Sequence, residues 1–111
     1  MDRSIDALYQ TIAKNIVNAI EGEWIEAVID FQFFGDAGKY YGRFLTPDPR
    51  TERDFTVGYN NYKAFKEIHQ IMTEDDNNKW NRAKFTLYPT GKFSIDFEWD
   101  QALADENEAN S

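Results

Sequence analysis

Residues 80–100 carry the pattern that most restricts how this chain can fold: Trp80-Asn81-Arg82-Ala83-Lys84-Phe85-Thr86-Leu87-Tyr88-Pro89-Thr90-Gly91-Lys92-Phe93-Ser94-Ile95-Asp96-Phe97-Glu98-Trp99-Asp100. Ala83, Phe85 and Leu87 alternate with Lys84, Thr86 and Tyr88. Beyond Pro89-Thr90-Gly91, the residues Phe93, Ile95, Phe97 and Trp99 alternate with Lys92, Ser94, Asp96 and Glu98. A period of two with one apolar and one wet face is the mark of antiparallel strands, and Pro-Thr-Gly is a turn. The segment predicts a hairpin with Phe93, Ile95, Phe97 and Trp99 on the core side. Asp96, Glu98 and Asp100 then lie on the other side, roughly 7 Å apart at each step.

A second alternating stretch runs from Trp24 to Phe34. Ile25, Ala27, Ile29, Phe31 and Phe33 share one face. Gly35-Asp36-Ala37-Gly38 signals a turn, and Lys39 to Thr46 reads as the return strand. Between the hairpins, two prolines mark Thr46 to Asp54 as an irregular loop. Phe55 to Tyr59 reads as a short additional strand.

Two segments carry the helical period instead. Ile5, Leu8, Tyr9, Ile12, Ile16, Ala19 and Ile20 form one apolar stripe, with Ser4 as N-cap and Gly22 as the stop. Tyr62, Phe65, Ile68, His69 and Met72 form another, capped by Asn60 or Asn61. The fold class is α+β: an antiparallel sheet of four to five strands with an N-terminal and a central helix, in the order α-β-β-(β)-α-β-β. At 111 residues this is one domain, spanning residues 1–100. Residues 101–111 show no apolar period beyond Ala102-Leu103-Ala104 and are expected to be an acidic, disordered tail.

Composition narrows the chemistry. There is no cysteine, so disulfides and thiolate metal sites are excluded. No apolar run reaches membrane-span length, and Met1-Asp2-Arg3-Ser4 does not begin a signal peptide, so the cytoplasm is the expected location. The net charge is −8. An acidic surface repels phosphate backbones and attracts basic proteins. His69 is the single histidine, placed at the edge of a helix's apolar face, and no phosphate loop or paired-histidine zinc motif occurs. Catalytic residues, metals and cofactors are not expected.

The row Asp96, Glu98, Asp100 leaves three readings open. It is a solvated sheet face, a docking surface for a basic protein, or a Mg²⁺ or Ca²⁺ site, the last needing further oxygen ligands. Tyr88 and Trp80 flank the row and suit a docking surface, since interfaces favour rigid amphipathic rings. Trp80 also fits a plain strand-entrance anchor. Glu74-Asp75-Asp76 is a second acidic candidate.

At the hairpin the sequence resembles the YezG-like family of bacterial immunity proteins, or antitoxins. The matching residues are Trp80, Phe85-Thr86-Leu87, Gly91-Lys92-Phe93, Asp96-Phe97 and Asp100. Leu8-Tyr9-Gln10-Thr11-Ile12-Ala13 and Ile20-Glu21-Gly22-Glu23-Trp24 are similar as well. Residues 35–59 are less family-like. Trp99 stands where members often carry Tyr, and Arg50 and Arg53 interrupt the acidic character. The resemblance implies a non-enzymatic, cytoplasmic inhibitor that binds a cognate toxin domain, with nucleases among the targets. Nucleic acid and membranes are not implied as partners. On the residues alone, an adaptor or secretion-chaperone-type binding module and a small carboxylate-metal enzyme are the rival readings.

Overall fold

The computed structural model describes residues 5–34, 37–47, 49–74 and 79–109. Its elements are α1 (Ile5–Ala19), β1 (Glu26–Phe34), β2 (Ala37–Leu45), β3 (Glu52–Phe55), α2 (Tyr59–Thr73), β4 (Arg82–Leu87), β5 (Phe93–Glu98) and α3 (Gln101–Ala109). The five strands form one sheet in the order β3-β2-β1-β4-β5, every neighbouring pair antiparallel. This is the expected α+β class with one helix more than the sequence pattern showed.

The two hairpins join at the centre through β1 and β4, with Ile29 opposite Phe85. Their apolar faces point the same way. α1 and α2 cover that face with Leu8, Ile12, Ile16, Ala64, Phe65 and Ile68, all buried. Phe31 stacks on Phe65 at 4.9 Å, and Phe85 on Phe93 at 5.3 Å. Aromatic pairs at these separations add to the area they bury. The two helices are also tied through Asn15 Nδ2, which donates to Oδ1 of the buried Asn61 at 2.9 Å.

The hairpin turn follows its chemistry. Gly91 N donates to Tyr88 O at 2.9 Å, which places Pro89 second in the turn and Gly91 fourth, with φ +91°. Pro is favoured at the second position, and glycine takes a positive φ without strain. Gly42 has a different reason. A Cβ there would lie 2.7 Å from Val57 and 2.8 Å from Phe55. Glycine lets β2 pass beneath those side chains.

Four expectations are corrected. β3 spans Glu52–Phe55 rather than Phe55–Tyr59, because Thr46 closes the proline loop early. Its N–H donates to Thr51 O at 2.9 Å, and the chain is then free to pair with β2. The N-cap of α2 is Gly58, with no side-chain cap bond, and Asn61 sits inside the helix. Trp99 is 47% exposed instead of closing the core. β5 ends at Glu98, so the alternation does not carry its ring inward, and its Nε1 donates to Gln101 Oε1 at 3.0 Å. Finally, the acidic tail is helical from Gln101 to Ala109. Asp100 caps that helix, its Oδ1 accepting from Leu103 N at 3.1 Å, and the buried Leu103 anchors it as α3 lies against β1. The helix crosses the face opposite α1 and α2, where Val28 and Thr86 are also buried. Among the described residues no helix is long and apolar enough to cross a membrane. Ser4, the expected cap of α1, lies outside the described residues.

Candidate functional site

The sheet face opposite α1 and α2 is only partly covered by α3. The register fixes what stands on the rest. One cross-strand row is Tyr41, Asp30, Lys84, Asp96, and the next is Lys39, Gln32, Arg82, Glu98. In the first row Lys84 stands between Asp30 and Asp96; in the second Arg82 stands between Gln32 and Glu98, so β4 sets a base against each exposed acid of β5. Asp30, Gln32, Arg82, Lys84, Asp96 and Glu98 line a shallow concavity of about 430 Å³.

Two ion pairs organise the rim. Arg43 Nη1 donates to Asp30 Oδ2, and Arg82 Nε donates to Asp100 Oδ2 at 2.7 Å. The Asp30 pair neutralises the β1 acid. The Asp100 pair takes the third carboxylate out of the row. Asp100 is a structural node: its N–H donates to Asn81 Oδ1 at 2.7 Å, and its carbonyl accepts from Asn81 Nδ2 at 2.8 Å. The Leu103 N–H, and after it the Arg82 guanidinium, hold its carboxyl below the ordinary aspartate value against a smaller opposing effect of burial. Asp96 and Glu98 therefore remain as an exposed pair, with Lys84 and Arg82 beside them.

The other predicted residues disperse. Trp80 is 2% exposed and belongs to the core, against Phe31, His69 and Phe97. This corrects its assignment to a docking surface, since a buried ring cannot meet a partner. Tyr88 is exposed just past β4, four residues from Lys84, or roughly 14 Å along the strand. Glu74 is exposed at the C-terminal end of α2. Asp75 and Asp76 lie outside the described residues.

His69 is occupied within the fold. Its Nε2–H donates to Trp80 O at 3.0 Å, and its ring stacks on Phe33 at 4.0 Å. Burial pushes its pKa below the ordinary histidine value. Among the described residues, no group of three or more His, Cys, Asp or Glu stands close enough to hold a metal ion.

The sequence reading missed the bases. Alternation alone does not set Arg82 and Lys84 opposite the acids. The signal was present, because a turn closed between Tyr88 and Lys92 fixes Lys84 against Asp96 and Arg82 against Glu98 by counting.

Comparison with known proteins agrees at the level of family. A family model described as "Immunity protein YezG-like" matches residues 51–111, just over half of the chain. Immunity protein YezG of Bacillus subtilis (strain 168) is 28% identical over 114 aligned residues, covering 89% of this chain and 76% of that protein. Immunity protein YezG of Bacillus spizizenii is 25% identical over 114, covering 89% and 71%.

Proposed function

The chain belongs to the YezG-like immunity protein family, and on that premise we propose that it neutralises a cognate bacterial toxin by binding it stoichiometrically, without catalysis. The partner is a basic, nuclease-like toxin domain, and the complex forms in the cytoplasm of the cell that makes both. A nuclease must attract phosphate, so its cleft is basic. An inhibitor of net charge −8 is steered toward such a cleft, which raises the association rate at low salt.

The observation that carries the site is the exposed Asp96–Glu98 pair in the open concavity of the sheet. Lys84 beside it makes the complementary surface a patterned one: basic groups for the two carboxylates and an acceptor for the lysine. Such alternation supports discrimination among toxins better than uniform charge, because a misplaced like charge is costly. Tyr88 lies at the far end of the same hairpin as a rim contact.

The test is co-expression with the toxin encoded beside it. The protein should co-purify with the toxin domain at one-to-one stoichiometry and protect growth. A toxin that neither co-purifies nor is neutralised contradicts the function. Protection left intact by Asp96→Lys/Glu98→Lys contradicts the site.

A further inference from the structure

The two edges of the sheet are built differently. β3 is four residues, Glu52-Arg53-Asp54-Phe55, the first three exposed. Short and charged edge strands resist pairing with other chains. β5 is six residues, Phe93 to Glu98, without proline, glycine or lysine, and without a bulge against β4. Phe93, Ile95 and Phe97 pack on the core yet stay only partly buried, and exposed Trp99 follows directly. This edge lacks short length, proline, bulge and lysine, and its two charges, Asp96 and Glu98, stand on the open face of the sheet.

The hydrogen-bond phase says which of its groups face outward. Tyr88 N donates to Lys92 O at 2.9 Å, so that pair is a bonded one. Bonded and non-bonded pairs alternate in an antiparallel ladder. Ser94, Asp96 and Glu98 therefore turn their backbone groups toward β4, and Phe93, Ile95 and Phe97 turn theirs away from the sheet. A new strand must bond through these three.

We propose that the occupant is a second copy of this chain, its β5 paired antiparallel with the first about a two-fold axis at Ile95. Counting outward from that axis, Phe93 meets Phe97 of the second copy, Ser94 meets Asp96, and Lys92 meets Glu98. Trp99 comes over Gly91. Every relation occurs twice, as an isologous contact requires. The charges are complementary and no like pair is opposed. The other centres allowed by the bonding phase are less favourable. Centring on Phe97 sets Glu98 against Asp96, centring on Asp96 sets that acid against itself, and centring on Phe93 brings Pro89, which has no N–H, into the ladder. Centring on Ser94 sets Phe97 against Gly91, whose φ of +91° ends the extended strand, and so shortens the ladder. The Ile95 register joins two five-stranded sheets into one of ten strands. It leaves Asp96 open to solvent and does not depend on the toxin-binding reading.

Sedimentation velocity on the full chain over a micromolar concentration series tests this. The wild type should reach about twice the 13.0 kDa chain mass. Lys92→Glu should raise the dissociation constant about tenfold or more, and the swap Lys92→Glu/Glu98→Lys should restore most of it. Ile95→Pro should abolish pairing, since it deletes an outward N–H and spares the bonds to β4. Circular dichroism checks that each variant is folded. A monomer at every concentration overturns the proposal, including one whose β5 edge is covered only when toxin binds. So does a dimer indifferent to both Lys92→Glu and Ile95→Pro.

Discussion

Asp100 shows how one side chain can hold two elements together. It caps α3, pairs with Arg82, and its backbone N–H and carbonyl both bond the side-chain amide of Asn81. Removing an N-cap costs about 1 kcal/mol. Asp100→Ala should therefore loosen α3 and speed amide exchange over residues 101–109, with little change in β1 and β4. The pH dependence follows from direction. The folded state holds the Asp100 carboxyl below its ordinary value of 3.8. That contribution is present above about pH 4 and is lost as pH falls further, because the unfolded chain takes up the proton first. His69 acts at higher pH. Burial lowers its pKa below 6.5, so its contribution is present above about pH 6.5 and fades as acid titrates the unfolded chain. An NMR titration should place the ring's midpoint below that of a free histidine. His69→Gln should flatten the stability slope just under neutrality.

At the scale of elements, what could be read from the sequence follows the range of the signal. The β4–β5 hairpin was legible because both strands, the turn and the register lie within 21 residues. The stripes of α1 and α2 were legible for the same reason. The pairing of β1 with β4 was not, since it joins residues 50 to 60 positions apart and nothing local encodes it. α3 was missed because one buried leucine and a cap hold it, and neither makes a period. Trp99 was misplaced because alternation was carried past the strand's last residue. Of the site, Asp96 and Glu98 were legible from parity. The diversion of Asp100 to Arg82 was not, since it depends on where the chain turns. Gly42→Ala tests the packing of β2. The added methyl has no room beside Val57 and Phe55 and should destabilise by about 1–3 kcal/mol in urea unfolding.

The whole molecule is asymmetric across its sheet. One face is sealed by α1 and α2 over an aromatic core, and the other is only partly covered by α3. The family resemblance rests largely on sealed positions such as Trp80, Phe85 and Leu87, which specify the fold. Partner choice belongs to the open face, where Asp96 and Glu98 stand exposed on β5 beside the bases of β4. The most direct measurement is the affinity of the full chain for its toxin domain by calorimetry, at low and at physiological salt, for the wild type and for Asp96→Lys/Glu98→Lys. The account predicts wild-type binding that weakens with salt, and at least a tenfold loss in the variant, about 1.4 kcal/mol, with a smaller salt dependence. Equal affinity and equal salt dependence for the two proteins would contradict it.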